Sequence, residues 1–493
     1  LELDWTGQFR SEFNFIKNYT LDSSDSGPAY DPNRGTAGGY YVPGGGSNDA
    51  TYETLFLKLK PKLVVNDNIY IKSEFWVGNP IFGMFGDSAP SSIDQRYYNS
   101  VFSGGSLITA QRFWAEFLSD IGTVQIGRAP LHWGLGVIWN SGDGLWDRYE
   151  STGDTIRLVS KFGAFSFIPA FTVYNTGNSV GGSCIGGGGG PYGCAPGLGS
   201  GGVTDYSVAI KYDNPDEDFE VGVNFIKRLE GPDQDPNGGF VGPQGVVGSA
   251  NYNTWDIYAR KRIGKFTLAG EFPIQNGLIG GDGTNYAAFA LAAELGWRPS
   301  DTWESQLKLG HVPGQPNLSN PAIDTYREIF LNPAYRLGLI MFNFQLANFA
   351  GPNTLNSSQT AGSQLRSPYD NPITNADYLA FFENIHLDKW TIRPAFIWAV
   401  ANQTCSSGNY CFNTWSKQMV LAQDNQSSSL GWELDVGATY QWDDFFQFKI
   451  DTGIWVPGAY YQFSNAVNGA GGAPIENATS PVFAISLGAG VNF

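Results

Sequence analysis

From residue 5 to residue 15 the chain puts Trp5, Gly7, Phe9, Ser11, Phe13 and Phe15 at every second position, with Gln8, Arg10, Glu12 and Asn14 between them. A period of two is the mark of a strand with one apolar and one polar face. Similar blocks recur in pairs: 53–65 with 69–77, 106–118 with 122–128, 154–162 with 165–175, 203–212 with 218–228, 251–262 with 265–274, 285–298 with 302–311, 375–387 with 390–402 and 430–442 with 445–456, followed by 481–493. Short links join the two members of a pair, as at 66–68, 163–164, 263–264, 299–301, 388–389 and 443–444, whereas long stretches rich in Gly, Asn, Ser and Pro join one pair to the next. A final strand at 481–493 must find neighbours on both sides, and closing the sheet into a barrel supplies them.

Composition decides where such a barrel sits. Aromatic residues make up 15% of the 493 residues and charged residues only 15%, against a typical ~25% charged. Mean hydropathy is −0.21, and no apolar run reaches the roughly 18 residues that a spanning helix needs. A barrel can face lipid with every second residue and still look soluble on average. The expectation is an all-β, transmembrane antiparallel β-barrel of about 18 strands, with 16 or 20 as alternatives, short periplasmic turns and long extracellular loops. It occupies residues 1–493 as one domain. Aromatics at strand ends, including Trp5, Phe117, Trp303, Trp390 and Trp442, fit an interfacial girdle. The net charge of −17 argues against nucleic acid, which needs clustered Lys and Arg. Cys184 with Cys194 and Cys405 with Cys411 form two close pairs in Gly-, Ser- or Asn-rich loops. Without further Cys or His at zinc spacing, two local disulfides in an oxidising compartment are expected. The start at Leu1 suggests a processed, exported chain.

Ser486, Gly488, Val491 and the terminal Phe493 resemble the C-terminal assembly signal of Gram-negative outer-membrane barrels. The run Gly127-Arg128-Ala129-Pro130-Leu131-His132-Trp133-Gly134, continuing to Asp147, resembles part of porin-like channels and of the 18-stranded alginate-export family. These resemblances imply the bacterial outer membrane, with its lipid and lipopolysaccharide and the barrel-assembly machinery as partners. Alginate exporters are associated with a strongly basic lumen, and this chain departs from that with only 29 Lys plus Arg. Pro130 and Gly134 interrupt the ladder and would let the chain bend inward there.

Parity assigns the inward charges. Arg10, Lys58, Lys60, Lys72, Arg112, Arg157 and Lys161, with Glu116, fall on the polar face of the early strands, and Glu433 and Asp435 on that of the later ones, so one wall should be mildly basic and the other mildly acidic. Strand 375–387 is ambiguous, because Asp377 and Glu383 share parity with Leu379 and Phe381. The stretch 312–374 has no short turn and is expected to fold into the lumen, where Tyr326, Arg327, Tyr335 and Arg336 would meet a solute; an extra strand pair is the alternative. Enzyme readings lack support: His132, His311 and His386 are the only imidazoles, and none lies in a nucleophile-elbow context. No cofactor or metal is expected, and Asn140, Asp143, Asp147, Glu150 and Asp154 read as a solvated acidic loop rather than a calcium site. The function expected is a porin for passive diffusion of small hydrophilic solutes or ions. The alternatives are a selective channel for an anionic polysaccharide or sugar acid, and a non-transporting adhesin or scaffold; self-association is left open.

Overall fold

Strands with a lipid-facing and a water-facing side cannot leave an edge unpaired in a bilayer, and the chain solves this by closure. The computed structural model describes residues 2–19, 21, 49–78, 84–85, 108–176, 202–230, 250–279, 284–317, 325–344, 346, 372–413, 418–422, 424–462 and 479–493. Its wall is a closed antiparallel barrel of 18 strands. They are β1 Glu2–Lys17, β2 Ala50–Asn66, β3 Ile69–Gly78, β4 Ile108–Ser119, β5 Gly122–Pro130, β6 Thr152–Phe162, β7 Phe165–Thr176, β8 Gly202–Asn214 and β9 Phe219–Glu230. The second half comprises β10 Ala250–Ile263, β11 Phe266–Ile279, β12 (Thr284–Phe289 and Leu291–Ser300, interrupted at Ala290), β13 Trp303–Val312, β14 Ala376–Leu387, β15 Trp390–Val400, β16 Ser429–Gln441, β17 Phe446–Pro457 and β18 Val482–Asn492. Each strand pairs with its sequence neighbours, and β1 pairs with both β2, from Glu2↔Val64, and β18, from Gln8↔Asn492 to Lys17↔Phe483.

The burial pattern is inverted relative to a water-soluble sheet. On β1 the outward Trp5 is 57% exposed while the inward Arg10 and Glu12 are 2% and 1% exposed. Phe113, Ile156, Phe162, Ile263 and Leu434 likewise project outward into the lipid-facing band. Structure resolves the ambiguous strand: Asp377 and Glu383 face outward with Phe381. Each is held there by a polar neighbour, since Asp377 Oδ1 lies 2.5 Å from His311 Nδ1 and Glu383 Oε1 accepts from Ser305 Oγ at 2.9 Å. Arg128 also faces out, paired with Asp154 at 2.7 Å.

The stretch between β13 and β14 adds no wall strand pair among its described residues. Thr325–Tyr326 makes a short parallel pairing with Asn285 and Tyr286 instead. Beyond it, Ile329, Leu331, Leu337, Ile340 and Phe344 are buried with Ala380, Ile397 and Ala484 of the wall, giving the barrel an apolar core inside its lumen. Burying five such side chains stabilises by roughly 1.5–3 kcal/mol each. Cys405 is disulfide-bonded. Cys184, Cys194 and the side chain of Cys411 lie outside the described residues, and so does the pairing expected of them.

Candidate functional site: the barrel lumen

Two segments occupy the lumen. The first, 131–151, leaves β5 at Pro130 and returns at β6. Its charges meet charged side chains that point inward from the early strands. Lys58 Nζ lies 3.5 Å from Glu74 and 3.4 Å from Glu150. Arg112 reaches Glu74 at 3.1 Å and Glu150 at 3.3 Å, and Lys60 reaches Asp143 at 2.9 Å. Arg148 pairs with Glu12 at 2.9 Å, which also holds Lys449 at 2.8 Å, and Arg10 donates to the Leu145 carbonyl. Lys58, Lys60 and Arg112 of the wall expected to be basic are therefore neutralised: Glu150 lies 92 residues from Lys58 and Asp143 83 residues from Lys60 in sequence, and strand parity carries no information about such a loop. The acidic loop residues accordingly face Lys and Arg, with Asp147 Oδ2 accepting the Gly144 N–H at 2.8 Å and Oδ1 lying 3.8 Å from Arg336. Burial pushes the Glu150 carboxyl up to about 7, with Glu74 adding to the shift and Arg112 opposing it.

Room for this segment is cut into the wall by small residues. A Cβ on Gly488 would stand 2.8 Å from the Trp146 ring, and one on Gly490 2.7 Å from Leu145. Gly488, which the resemblance ties to assembly, thus also accommodates the indole, over which Lys449 Nζ sits 4.0 Å from the ring centroid.

The second segment, 325–344, is fastened by backbone rather than by ion pairs. Glu433 and Asp435 of β16 point inward and accept three successive N–H groups: Leu339 to Asp435 at 2.9 Å, Ile340 and Met341 to Glu433 at 2.7 and 2.6 Å. The two segments also brace each other, since Asn332 donates its N–H to Val137 at 2.7 Å and its amide to Ser151 at 3.0 Å, and Arg336 donates to the Trp146 carbonyl at 3.0 Å.

Between the segments and the later strands lies a cavity of about 570 Å³. Tyr335 and Arg336 line it together with Lys308, Arg393, Lys449, Glu294 and Asp451. Tyr326 is buried against Tyr286, with ring centroids 5.4 Å apart, while Arg327 is exposed. Of the remaining inward side chains, Lys72 pairs with Glu116 at 2.8 Å, Arg157 donates to Gln125 at 2.6 Å and Lys161 is exposed on the same face near the short-turn end. Lys308 is paired with Glu294 at 3.0 Å and Lys449 with Glu12. Arg393, like Arg157 and Lys161, has no carboxylate within salt-bridge distance among the described residues, although its charge acts on Asp435 of the neighbouring strand; its guanidinium rests 5.5 Å from the Phe382 ring centroid. Its role was not singled out by sequence, where it reads as one more alternating charge.

No family model matches the chain, and no curated protein is similar to it in sequence. Solved structures are similar over the full length. A BenF-like porin from Pseudomonas fluorescens aligns with 100% of this chain and 99% of its own at a TM-score of 0.50 and 9% identity. The fold is that of an outer-membrane porin. Two Pseudomonas aeruginosa barrels lie close behind: OpdK, solved with vanillate, at 0.49 and 10% identity over 99% and 98% of the two chains, and OccK11 (OpdR) at 0.49 and 8% over 100% and 96%. At these identities the likeness is one of porin architecture.

Proposed function

We propose that this barrel sits in a bacterial outer membrane, surrounded by its lipid and lipopolysaccharide and closed there by the barrel-assembly machinery, and conducts small hydrophilic solutes or ions by passive diffusion. The observation that carries this reading is the cavity of about 570 Å³ inside the barrel, lined by charged and polar groups, beneath an apolar outer wall. A lumen lined by such groups favours hydrated solutes and disfavours apolar ones. Segments 131–151 and 325–344 narrow the lumen, and Tyr335 and Arg336, with Leu337, Gly338 and Asn343 beside them on the cavity, are the members of the long stretch that would meet a solute.

A second reading, a channel selective for a sugar acid or another anion, is favoured by Arg393, a cation lining the cavity with no carboxylate within salt-bridge distance among the described residues. Reconstitution in planar bilayers tests both. Discrete conductance steps are expected, and they should grow when 325–344 is replaced by a short linker in a barrel that still folds. Electrically silent, folded protein would overturn the channel reading in favour of a scaffold. Arg393→Gln should lower the anion-to-cation permeability ratio if the second reading holds, and leave it unchanged under the first.

A further inference from the structure

Buried carboxylates in this lumen come in two kinds. Glu12, Glu74 and Asp205 each have a Lys or Arg within reach. Asp256 of β10 and Glu271 of β11, both 0% exposed, have none among the described residues. Their carboxyl groups lie within hydrogen-bonding reach of each other. Glu271 Oε2 is occupied, accepting the N–H groups of Leu135 and Gly136, the latter at 3.1 Å. Glu271 Oε1 and both oxygens of Asp256 have no hydrogen-bond partner. Three buried carboxylate oxygens on adjacent strands thus stand without a donor, and no Lys or Arg lies within salt-bridge distance of them among the described residues.

Two like charges so placed need a positive charge to coexist. A shared proton would link one Asp256 oxygen to Glu271 and leave the other Asp256 oxygen buried without a donor. A hard cation engages all three oxygens at once. We propose that Asp256 and Glu271 form a binding site for a single calcium ion. Calcium takes oxygen ligands in a flexible shell, and Asn224, 2% exposed and opposite Asp256 in the β9–β10 register, is placed to add a neutral oxygen beside water. Through Glu271 the ion fixes the carboxylate that holds Leu135 and Gly136, and so ties segment 131–151 to the wall opposite its ion pairs. The inference stands whatever solute the channel carries.

Terbium, a luminescent calcium substitute, provides the test, because Tyr258, two residues from Asp256 on the same face, packs with Trp133 and can sensitise it. Folded, chelator-stripped barrel titrated with terbium should show one site whose emission is displaced by calcium chloride and falls at least tenfold in Asp256→Asn. Calcium should also raise the temperature at which the stripped wild-type barrel loses its heat-modifiable form, with no such shift in the variant. Equal terbium emission from wild type and variant, or no calcium-dependent shift in the wild type, overturns the proposal and leaves the shared proton. If Asp256→Asn fails to fold, anomalous diffraction from terbium-soaked wild-type crystals decides: a peak between Asp256 and Glu271 supports the site and its absence overturns it.

Discussion

Segments 131–151 and 325–344 fill the same lumen by opposite means. The first is a polar insert whose Asp143, Arg148 and Glu150 meet charges on the wall. The second is an apolar insert, with Ile340 and Leu337 in the core and its backbone N–H groups hooked over Glu433 and Asp435. Removing one partner from a buried ion-pair network strands the others, whereas trimming an apolar side chain leaves only a cavity. The polar insert should therefore be brittle toward single substitutions and the apolar one tolerant.

The largest effect expected is from Arg112→Leu, which leaves Glu74 and Glu150 to share Lys58; a loss of about 3–5 kcal/mol should appear as a lower unfolding temperature in heat-modifiability assays. Ile340→Ala should cost about 2–4 kcal/mol by cavity formation, with single-channel current noise rising as the apolar insert loosens. If Ile340→Ala costs more than Arg112→Leu, the contrast between the two inserts is reversed. Gly488→Val drives a side chain into Lys449 and Trp146, an overpacking worth about 1–3 kcal/mol; conductance should change because the polar insert shifts, while Gly488→Ala at lower cost sharpens the measurement. The smallest effect belongs to Glu150. Its folded-state carboxyl titrates at about 7 rather than 4.5, so the folded barrel binds that proton more tightly than the unfolded chain does. Stability from this group is greatest below the unfolded value, declines as pH rises toward 7 and is level beyond it. Glu150→Gln should flatten that part of the pH profile with little change in stability at pH 5, as followed by thermal unfolding.

Much of the wall could be read directly. Period-two runs such as Trp5 to Phe15 and turns such as Gly163-Ala164 fix strand number and facing, because a one-residue slip would turn every side chain over. Where outward positions are polar, as at Asp377 and Glu383, parity loses its meaning, and only the neighbours His311 and Ser305 explain the exception. The lumen was far less legible. Lys58 finds Glu150 and Glu433 finds Ile340 across 92 and 93 residues, pairings that no local pattern encodes. Gly488 reads as part of a terminal signal until Trp146 is seen against it. Asp256 and Glu271 lie on different strands, and their adjacency depends on a register visible only once the barrel is closed.

The pairing of β1 with β18 has a consequence for timing. Every other pairing between the 18 wall strands joins neighbours in sequence, across a short turn or a longer loop. Lys17 and Phe483 instead meet across nearly the whole chain. Contacts of such high order form late, because the entropy of bringing distant ends together is lost before any hydrogen bond compensates for it. Until they form, the strand edges of residues 8–17 and 483–492 are open, and a second chain could pair with either one. Fidelity of assembly therefore rests on how quickly this one junction zips, and on its final rungs, where Gly7 and Phe493 exchange hydrogen bonds of 2.8 and 3.0 Å.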